Sequence, residues 1–365
     1  MNFINDLPIY LTFDDLSLLP RHNHGTPENI SLKTQVTKNF QLNLPLLSAG
    51  MPSITEADLA IAMGEFGGLG VIHRYMDIDK QCSIVTKVSS YIPNQEIYPQ
   101  ASTQSNGRLI TAASVEPMNI DAAKQLVSAG ANILFLDTPN PPNEEIFNSV
   151  ATLRKLADAD LVIGSVVETN TAHRYLELGI DGIKIGLGSG ALCTMRRTTG
   201  VGAPQITALH NCGQIAHRYN VPVISDGGTR TSGDIVKALA VGASTVMLGS
   251  LLAGCDETPG EVIEQDGCRM KTVKSLRLST LEIETPTGFP KIDAYLREHI
   301  APRVEGGDTL VSLNGPCHLT LMRLVKGIRS GIHLAGATSI TELWSQARLI
   351  RTSFSGMIEA SVRQI

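Results

Sequence analysis

A cysteine lies in a glycine-rich segment of the chain, close to two adjacent arginines. The segment runs from Gly186 to Gly202, and Cys193 stands in it shortly before Arg196 and Arg197. Positive charge near a thiol favours the thiolate, which is the nucleophilic form. An ordinary thiol, with a pKa of about 8.5, is mostly protonated at neutral pH. Cys193 is therefore either a nucleophile on a loop or a small residue buried in the core.

Two further turns carry groups that suit a nucleotide. Asp226, Gly227 and Gly228 follow one apolar run, and Gly249 and Ser250 follow the next. Backbone N–H groups at such turns bind phosphate, and an aspartate beside them can accept hydrogen bonds from ribose hydroxyls. Each glycine alone is explained by a tight turn. Both turns together, after the last two strands of a barrel, predict a site for a nucleoside monophosphate.

Another carboxylate, Asp137, ends an earlier apolar run. It either binds a hydroxyl group of a ligand or caps the helix that follows. His73 and Arg74 come after a still earlier run and are interpreted as structural polar contacts. The sequence contains no HExxH, CxxC or GxxxxGK[ST] pattern, which argues against zinc hydrolase and P-loop functions.

Eight short apolar runs, each followed by a helix-like stretch, must position these residues. Runs that are apolar throughout, rather than alternating with polar residues, are typical of parallel strands buried on both faces. Eight such units without a break in composition predict an α/β fold, a closed (β/α)8 TIM barrel, rather than an open doubly wound sheet. The runs are Leu44–Ser48, Gly68–Ile72, Leu109–Ala113, Ile133–Asp137, Leu161–Gly164, Gly182–Gly186, Val221–Asp226 and Thr245–Gly249.

One region lies outside this repeat, after the eighth unit. Residues from about Cys268 to Gly306 are rich in Thr, Pro and charge, and are predicted to form a mobile, flap-like insertion after strand 8. Residues 1–365 are predicted to form a single catalytic barrel domain that carries this insertion.

The composition narrows the class of protein further. The 365 residues include 30 Lys and Arg against 35 Asp and Glu, a net charge of −5, which argues against a nucleic-acid-binding protein. No apolar stretch reaches the roughly 18 to 20 residues of a membrane-spanning helix, and the N-terminus lacks the pattern of a signal peptide. We therefore expect a cytoplasmic protein that does not associate with membranes.

Four stretches of the chain resemble the IMP dehydrogenase / GMP reductase family. They are GLGSGALCTMRRTTGVGAPQ (Gly186–Gln205), VPVISDGGTRTSGDIVKALAVGASTVMLGSLLAGCDETPGE (Val221–Glu261), LTFDDLSLLP (Leu11–Pro20) and LPLLSAGM…TEADLAIAMGEFGGLGVIHRYM (Leu44–Met76). The resemblance implies a (β/α)8 barrel, usually a homotetramer, that uses a nicotinamide cofactor, either NADPH or NAD. It also implies a covalent thioimidate between a loop cysteine and C2 of a purine nucleoside monophosphate.

The same resemblance assigns roles by position. It implies that Cys193 is the nucleophile, that Asp137 faces the cofactor, and that backbone carbonyls of Gly188, Gly190 and Cys193 hold a potassium ion. Reductases of the family use a catalytic glutamate, and Glu282 aligns approximately with it. The substrate ligands that it implies are Asp226 for the ribose and Gly227, Gly228, Gly249 and Ser250 for the phosphate.

Several positions depart from the family pattern. Met195 stands where a threonine handles water or ammonia, and a thioether cannot relay that proton. Ala191 stands where a serine donates to the phosphate, so a charge-assisted hydrogen bond of about 1.5–3 kcal/mol is missing. Lys271–Ser279 lacks the glycines of the purine loop, and Glu284–Gly306 lacks the adjacent Arg-Tyr that activates water in the dehydrogenases. Arg74–Arg108 is too short to contain the regulatory CBS pair.

Three hypotheses follow from these matches and departures. The missing CBS pair and Arg-Tyr favour a GMP reductase-like enzyme, in which NADPH reduces the thioimidate of GMP, or of a related purine nucleotide, after ammonia leaves. The alternative is an IMP dehydrogenase, which oxidises IMP with NAD and hydrolyses the same intermediate. The length of the flap and the sequence Val304-Glu305-Gly306 favour this alternative. A second alternative is a non-catalytic, nucleotide-binding paralogue.

Overall fold

The computed structural model describes the parts of the chain that build a barrel and its immediate surroundings. These parts are residues 7–23, 25–138, 142–191, 193, 195–265, 267–273 and 309–360. Glu282 and the predicted flap beyond Val273 lie outside the described residues.

Three short strands precede the barrel, and two of them close one of its ends. The strands are β1 Leu16–Leu18, β2 Thr34–Gln35 and β3 Gln41–Leu42. β2 and β3 form an antiparallel hairpin, and the fully buried Val36 and Leu42 join the apolar cluster that fills the barrel. The Thr37 hydroxyl donates to the Asp160 carboxylate at 2.5 Å. The hairpin therefore plugs the end of the barrel at which the strands begin.

Eight parallel strands form the closed barrel. The ring closes between the last strand and the first, where Met247 lies opposite Leu47. Leu47 and Phe135 belong to the cluster inside the barrel, whereas their neighbours Leu46 and Leu134 pack in the layer toward the helices. Because both faces are buried, the strands are apolar throughout. They are β4 Leu46–Ser48, β5 Leu69–Ile72, β6 Ala112–Val115, β7 Ile133–Asp137, β8 Asp160–Val166, β9 Gly182–Ile185, β10 Val223–Asp226 and β11 Thr245–Leu248.

Helices surround the barrel. They are α1 Ala57–Glu65, α2 Ile78–Ser89, α3 Ile120–Ser128, α4 Glu144–Leu156, α5 Thr169–Glu177, α6 Met195–Thr199, α7 Gln205–Arg218, α8 Ser232–Ala240, α9 Cys317–Leu334, α10 Ile340–Gln346 and α11 Phe354–Glu359. All of them except α6 and α11 bury residues against the barrel or against neighbouring helices. In α4, Ile146, Val150 and Leu153 recur at helical spacing and are buried. The Asn143 side chain caps this helix by accepting from the backbone N–H of Ile146 at 3.0 Å. In the described part of the chain, none of these helices is both long and apolar enough to cross a bilayer.

The predicted (β/α)8 barrel is confirmed, and each of the eight predicted runs contains or overlaps a barrel strand. The bounds of the third run are wrong, because the strand is Ala112–Val115 rather than Leu109–Ala113. The N–H groups of Leu109 and Ile110 donate to loop carbonyls at 3.1 and 3.0 Å instead of to a neighbouring barrel strand. Ile110 joins the apolar cluster inside the barrel, and Leu109 packs in the layer toward the helices.

A three-stranded antiparallel sheet follows the last barrel strand and frames the predicted insertion. It consists of β12 Val262–Gln265, β13 Cys268–Val273 and β14 Thr309–Ser312. Lys271 of β13 is buried, and its ammonium donates to the carbonyls of Cys255, Asp256 and Thr258 at 2.9, 3.0 and 2.6 Å. These bonds tie the base of the insertion to the segment that follows β11.

A fourth sheet joins two segments that are far apart in the chain. β15 Leu349–Arg351 pairs antiparallel with β1, with Ser17 opposite Ile350. The backbone N–H of Thr352 also donates to the carbonyl of Asp15 at 2.9 Å. This pairing anchors the segment that precedes the barrel. The same segment also contacts helix α8.

Candidate active site

A cavity of about 660 Å³ opens at the C-terminal ends of the barrel strands, and residues on each strand or directly after it line its wall. The predicted site residues that the structure describes all line this cavity: Asp137, Gly188, Gly190, Cys193, Asp226, Gly227, Gly228, Gly249 and Ser250. Glu282, the predicted catalytic glutamate, is not among the described residues. Residues that are widely separated in the sequence thus share one space of the size of a ligand site.

The thiol of Cys193 is exposed in this cavity, on the loop between β9 and α6. Its backbone N–H donates to the carbonyl of Gly190 at 3.0 Å, which closes a tight turn. The alternative interpretation of Cys193 as a small core residue is wrong. The buried cysteines are Cys212, Cys255 and Cys317, and all six cysteines of the chain are free thiols.

Gln205, the first residue of α7, holds the loop that carries Cys193. Its amide nitrogen donates to the carbonyl of Ile185 at 2.8 Å and to the hydroxyl of Ser225 at 3.2 Å. Its amide oxygen accepts from the Ser189 hydroxyl at 2.9 Å. Gln205 is 1% exposed, so these bonds are shielded from water. The side chain therefore fixes the loop to the ends of two strands.

The two arginines that follow Cys193 lie on α6 and are both exposed. The alkyl chain of Arg196 packs closely over Gly188 and Gly202, where a side chain on either glycine would collide with it. Among the described contacts, none joins Arg196 or Arg197 to the Cys193 thiol. Their predicted effect on the thiolate stays a prediction.

The turn after β10 comes very close to the loop that carries Cys193. Gly227 has φ +95°, and a Cβ there would lie 2.7 Å from Ser189 Oγ and 3.1 Å from the backbone nitrogen of Gly190. Gly228 has φ +82°, and a Cβ there would lie 3.2 Å from the ring of Phe13. Both the backbone conformation and the close approach therefore require glycine.

Backbone donors at these turns have no acceptor among the described residues. The N–H groups of Gly227, Gly228 and Ser250 line the cavity and make no hydrogen bond to the described part of the chain. Unsatisfied N–H groups that point together into a pocket form a site for an anion. This geometry suits the phosphate site that the sequence predicts. We call Gly227, Gly228, Gly249 and Ser250 the cradle.

Phe13, from the segment before the barrel, supports the cradle from below. Its ring is 1% exposed and lies against Gly228. Lys237 of α8 donates to the carbonyl of Phe13 at 2.9 Å, and Arg230 pairs with Asp14 at 2.5 Å. The cradle thus rests on a segment that is remote in the sequence, and sequence reasoning did not predict this contact.

A row of charged side chains crosses the floor of the cavity. Lys184 Nζ lies 2.6 Å from Asp226 Oδ2, and the lysine side chain is 8% exposed. Arg74 Nε lies 3.5 Å from Asp137 Oδ2, and the Arg74 guanidinium also pairs with Glu116. The predicted ribose ligand and the predicted cofactor ligand therefore each have a cation beside them.

These neighbours shift the protonation of two buried groups. Burial acts to lower the pKa of Lys184, but the carboxylates of Asp226 and Asp137 outweigh it, so the pKa is raised above its ordinary value. Burial raises the pKa of Asp137, against the opposing charges of Lys184 and Arg74. Lys184 is therefore a permanent positive charge, and Asp137 takes up a proton more readily than an exposed aspartate does.

Lys184 and Arg74 are candidate functional residues that sequence reasoning missed. The structural interpretation suits His73, which is buried and lies 3.5 Å from Glu56, but not Arg74, which lines the cavity. Lys184 did leave a signal in the sequence. It is a charged residue inside the apolar run Gly182–Gly186, and a lysine on a strand buried on both faces needs a partner.

The wall around Asp137 suits a ligand with hydroxyl and amide groups. Arg74, Tyr75, Ser114 and Ser165 line the cavity together with Asp137. These side chains supply hydrogen-bond donors and acceptors of the kind that orient a ribose or a carboxamide. The residues present therefore fit a nicotinamide cofactor on this side of the cavity.

The carbonyls implied for a potassium ion belong to the loop that carries Cys193. The carbonyl of Gly190 already accepts from the N–H of Cys193, which leaves it one further lone pair. No group of three or more His, Cys, Asp or Glu residues in the described ranges is arranged to hold a metal ion. A carbonyl site for a monovalent cation needs no such group, so potassium binding stays a prediction.

The fold and the cavity define the class of the protein: a (β/α)8 barrel with a thiol, a carboxylate and free backbone donors at the strand ends. The chain matches the model of the family described as the IMP dehydrogenase / GMP reductase domain over residues 10–363, and it belongs to this family. It is accordingly an oxidoreductase of purine metabolism, from a family that uses NAD(P) cofactors. The predictions of family and enzyme class are confirmed.

Two relatives and one solved structure illustrate the match. The chain is 35% identical over 387 residues to inosine-5'-monophosphate dehydrogenase of Cryptosporidium parvum, with 97% of this chain and 95% of the relative covered. It is 32% identical over 388 residues to that of Borreliella burgdorferi, with 96% of each covered. A cysteine-to-alanine variant of GMP reductase from Trypanosoma brucei, in complex with guanosine 5'-monophosphate, superimposes with a TM-score of 0.87 at 25% identity and 99% coverage of both chains.

Proposed function

We propose that the protein reduces a purine nucleoside monophosphate at C2 through a covalent thioimidate on Cys193, with GMP as the substrate and NADPH as the reductant. One observation supports this function above all others. The exposed thiol of Cys193, the Asp226 carboxylate and the free N–H groups of the cradle converge on a single cavity. A nucleophile, a ribose ligand and a phosphate site are the three parts that the reaction requires.

The reaction divides into an attack, an expulsion and a reduction. The Cys193 thiolate adds to C2 of GMP, and the C2 amino group leaves as ammonia after protonation. The C2 carbon is then reduced and its bond to sulfur breaks, which releases IMP and restores the thiolate. The nicotinamide cofactor supplies the hydride when bound. Overall, GMP, NADPH and two protons give IMP, NADP⁺ and ammonium.

The residues of this chain bind the substrate and move its protons. Asp226 accepts hydrogen bonds from the ribose hydroxyls, and the cradle donates to the phosphate. Asp137, whose pKa burial raises, is one candidate to protonate the departing amino group. Glu282 is the other candidate. Arg74 and Tyr75 lie on the side of the cavity that fits the cofactor.

The surroundings of the nucleophile favour the reductive direction. Oxidation of IMP requires a water molecule to be deprotonated for hydrolysis of the thioimidate. The described residues that flank Cys193 in the chain are Gly190, Ala191 and Met195, and none of their side chains can accept that proton. Expulsion of ammonia requires a proton donor instead, which Asp137 or Glu282 would supply, so it does not depend on the side chains that flank Cys193.

Oxidation of IMP with NAD is the second candidate function, and the names of the curated relatives favour it. Those two dehydrogenases align with this chain over 387 and 388 residues and are covered to 95% and 96% of their own lengths. The lack of a long insertion between β5 and β6 is therefore shared with dehydrogenases of similar length. The lack of this insertion therefore does not favour the reductase over the dehydrogenase.

The absorbance of the nicotinamide cofactor separates the two reactions. Purified protein is mixed with GMP and NADPH, or with IMP and NAD, each with and without potassium. We expect loss of NADPH with GMP. The rate of this loss should fall at least about 1,000-fold in Cys193→Ala, because the covalent route is lost. Cys268→Ala is the matched control, since it removes another exposed thiol, on β13, and should leave the rate within about twofold.

Two other outcomes would contradict the proposal. Formation of NADH with IMP would establish the dehydrogenase. Binding of GMP without turnover, unchanged in Cys193→Ala, would establish the non-catalytic paralogue. A potassium-dependent rate would support the cation site at Gly188, Gly190 and Cys193, and light scattering would test the homotetramer that the family resemblance implies.

A further inference from the structure

Lys184 is a buried ammonium at the centre of the cavity floor. It lies on β9, opposite Ile224 of the apolar cluster inside the barrel, and its side chain is 8% exposed. Nζ donates to Asp226 Oδ2 at 2.6 Å and to the Ser165 hydroxyl at 3.0 Å. A buried charge is costly unless it is paired and hydrogen-bonded, so an ammonium kept at this position needs an explanation.

The neighbouring strand is shaped to admit this side chain. Gly164 of β8 lies against Lys184, and a Cβ on Gly164 would lie 2.5 Å from Lys184 Cβ and 2.7 Å from its carbonyl oxygen. The pairing of β8 with β9 also shifts register between Ile163 and Val166, next to this contact. The lysine stem thus runs over a glycine of β8, and its head reaches Asp226 on β10, the neighbouring strand on the other side.

The carboxylate that Lys184 contacts is the one that faces the ligand. Asp226 ends β10 with its side chain 26% exposed in the cavity, and one of its oxygens is bonded to the ammonium. Its other oxygen, and the remaining lone pairs of the first, stay available to a ligand. An aspartate on a strand end without this bond would be free to rotate about its side-chain bonds and to turn toward solvent.

We propose that Lys184 is a positioning residue, which holds the Asp226 carboxylate oriented toward the ribose, and thereby makes the enzyme select ribonucleotides over 2′-deoxyribonucleotides. This inference rests on the proposed function, because it assumes that Asp226 meets the ribose of a bound nucleotide. Lys184 itself need not touch the substrate. Its removal should therefore weaken the recognition of the ribose hydroxyls and leave the recognition of base and phosphate largely intact.

The experiment measures binding of GMP and of 2′-deoxyguanosine 5′-monophosphate by calorimetry, without cofactor. The ratio of the two dissociation constants reports the contribution of the 2′-hydroxyl. In the unaltered protein we expect a preference for GMP of about 10-fold or more, the usual effect of a hydrogen bond to a charged group. In Lys184→Met the preference should fall below about threefold, with 2′-deoxy binding nearly unchanged.

Two further variants separate positioning from a general structural effect. Lys184→Arg keeps the charge and the donors, so it should retain most of the preference. Lys184→Gln keeps a polar head of smaller reach, and it provides the same test if the methionine variant does not fold. Arg154→Met is the matched control. It removes the cation of another partly buried pair, with Asp181 at the opposite end of β9, and should leave the preference unchanged.

Three outcomes of the binding experiment test the positioning role of Lys184. Loss of the preference in Lys184→Met and Lys184→Gln, with its retention in Lys184→Arg and Arg154→Met, supports the positioning role. An undiminished preference in folded Lys184→Met or Lys184→Gln overturns it while leaving the proposed function intact. Failure of the unaltered protein to bind either GMP or IMP overturns the proposed function, and the role of Lys184 with it.

Discussion

Substitution of Gly227 by alanine tests whether the close approach of the cradle to the loop of Cys193 shapes the site. The φ of Gly227 is +95°, and adopting left-handed backbone costs an alanine about 1–2 kcal/mol. The new Cβ would also lie 2.7 Å from Ser189 Oγ, so Ser189 must move. Its hydrogen bond to Gln205, at 2.9 Å, would be lost at a further cost of about 0.5–1.5 kcal/mol.

Gly179→Ala provides the reference for the backbone effect alone. Gly179 has φ +77°, and a Cβ there would meet nothing within 4 Å. Urea denaturation should therefore show a loss of about 1–2 kcal/mol in the free energy of unfolding for Gly179→Ala, and about 1.5–3.5 kcal/mol for Gly227→Ala. Only Gly227→Ala should weaken nucleotide binding, by about 10-fold or more, because it displaces the cradle donors.

The affinity for GMP decides whether the contact between the cradle and the loop of Cys193 shapes the site. If Gly227→Ala is no less stable than Gly179→Ala and binds GMP with unchanged affinity, the contact between the cradle and the loop of Cys193 does not shape the site. If both variants lose affinity equally, the effect comes from general destabilisation, and the role of the contact is again refuted.

Three further substitutions test other parts of the structure. Burial lowers the pKa of His73 below its ordinary 6.5, so the unfolded chain binds more protons. Stability should therefore fall as the pH drops from about 7 to about 5, less so in His73→Gln, as measured by urea midpoints across that range. Lys271→Met should lower the free energy of unfolding by about 2–3 kcal/mol, since three carbonyls lose a buried donor, while the exposed Lys80→Met should cost less than about 1 kcal/mol. Met195→Thr restores a hydroxyl beside Cys193 and should raise kcat about 10-fold in the cofactor assay; an unchanged kcat would show that no proton passes through this position.

The barrel was predictable because its signal is local. Each strand is buried on both faces, so each appears in the sequence as a short, wholly apolar run. The third run shows the limit of this signal. Leu109 and Ile110 are as apolar as the strand residues after them, but their N–H groups bond to loop carbonyls rather than to a barrel strand. The hairpin of β2 and β3 gave no comparable signal, since Val36 and Leu42 are its buried apolar residues and the buried Thr34 and Thr37 are polar.

The candidate site was predictable where its residues follow strands within the glycine-rich turns. Cys193, Asp226 and the cradle belong to this group, and the cavity gathers all of them. Contacts between distant segments left no pattern in the sequence. The support of the cradle by Phe13 and the pairing of Arg74 with Asp137 depend on the closed ring of strands, so they emerge only in three dimensions.

The position of Phe13 under the cradle affects the order in which the parts of the molecule fold. Leu11 bonds to Thr207, 196 residues away, and Lys237 bonds to Phe13, 224 residues away. The carbonyl of Asp15 accepts a hydrogen bond from the N–H of Thr352, which is synthesised later still. Contacts of such long range form late, because large loops must close first. During synthesis on the ribosome, the barrel strands have all emerged before β15 can pair with β1 and anchor this segment. A ligand that binds the cradle would therefore stabilise the finished molecule over partly folded ones.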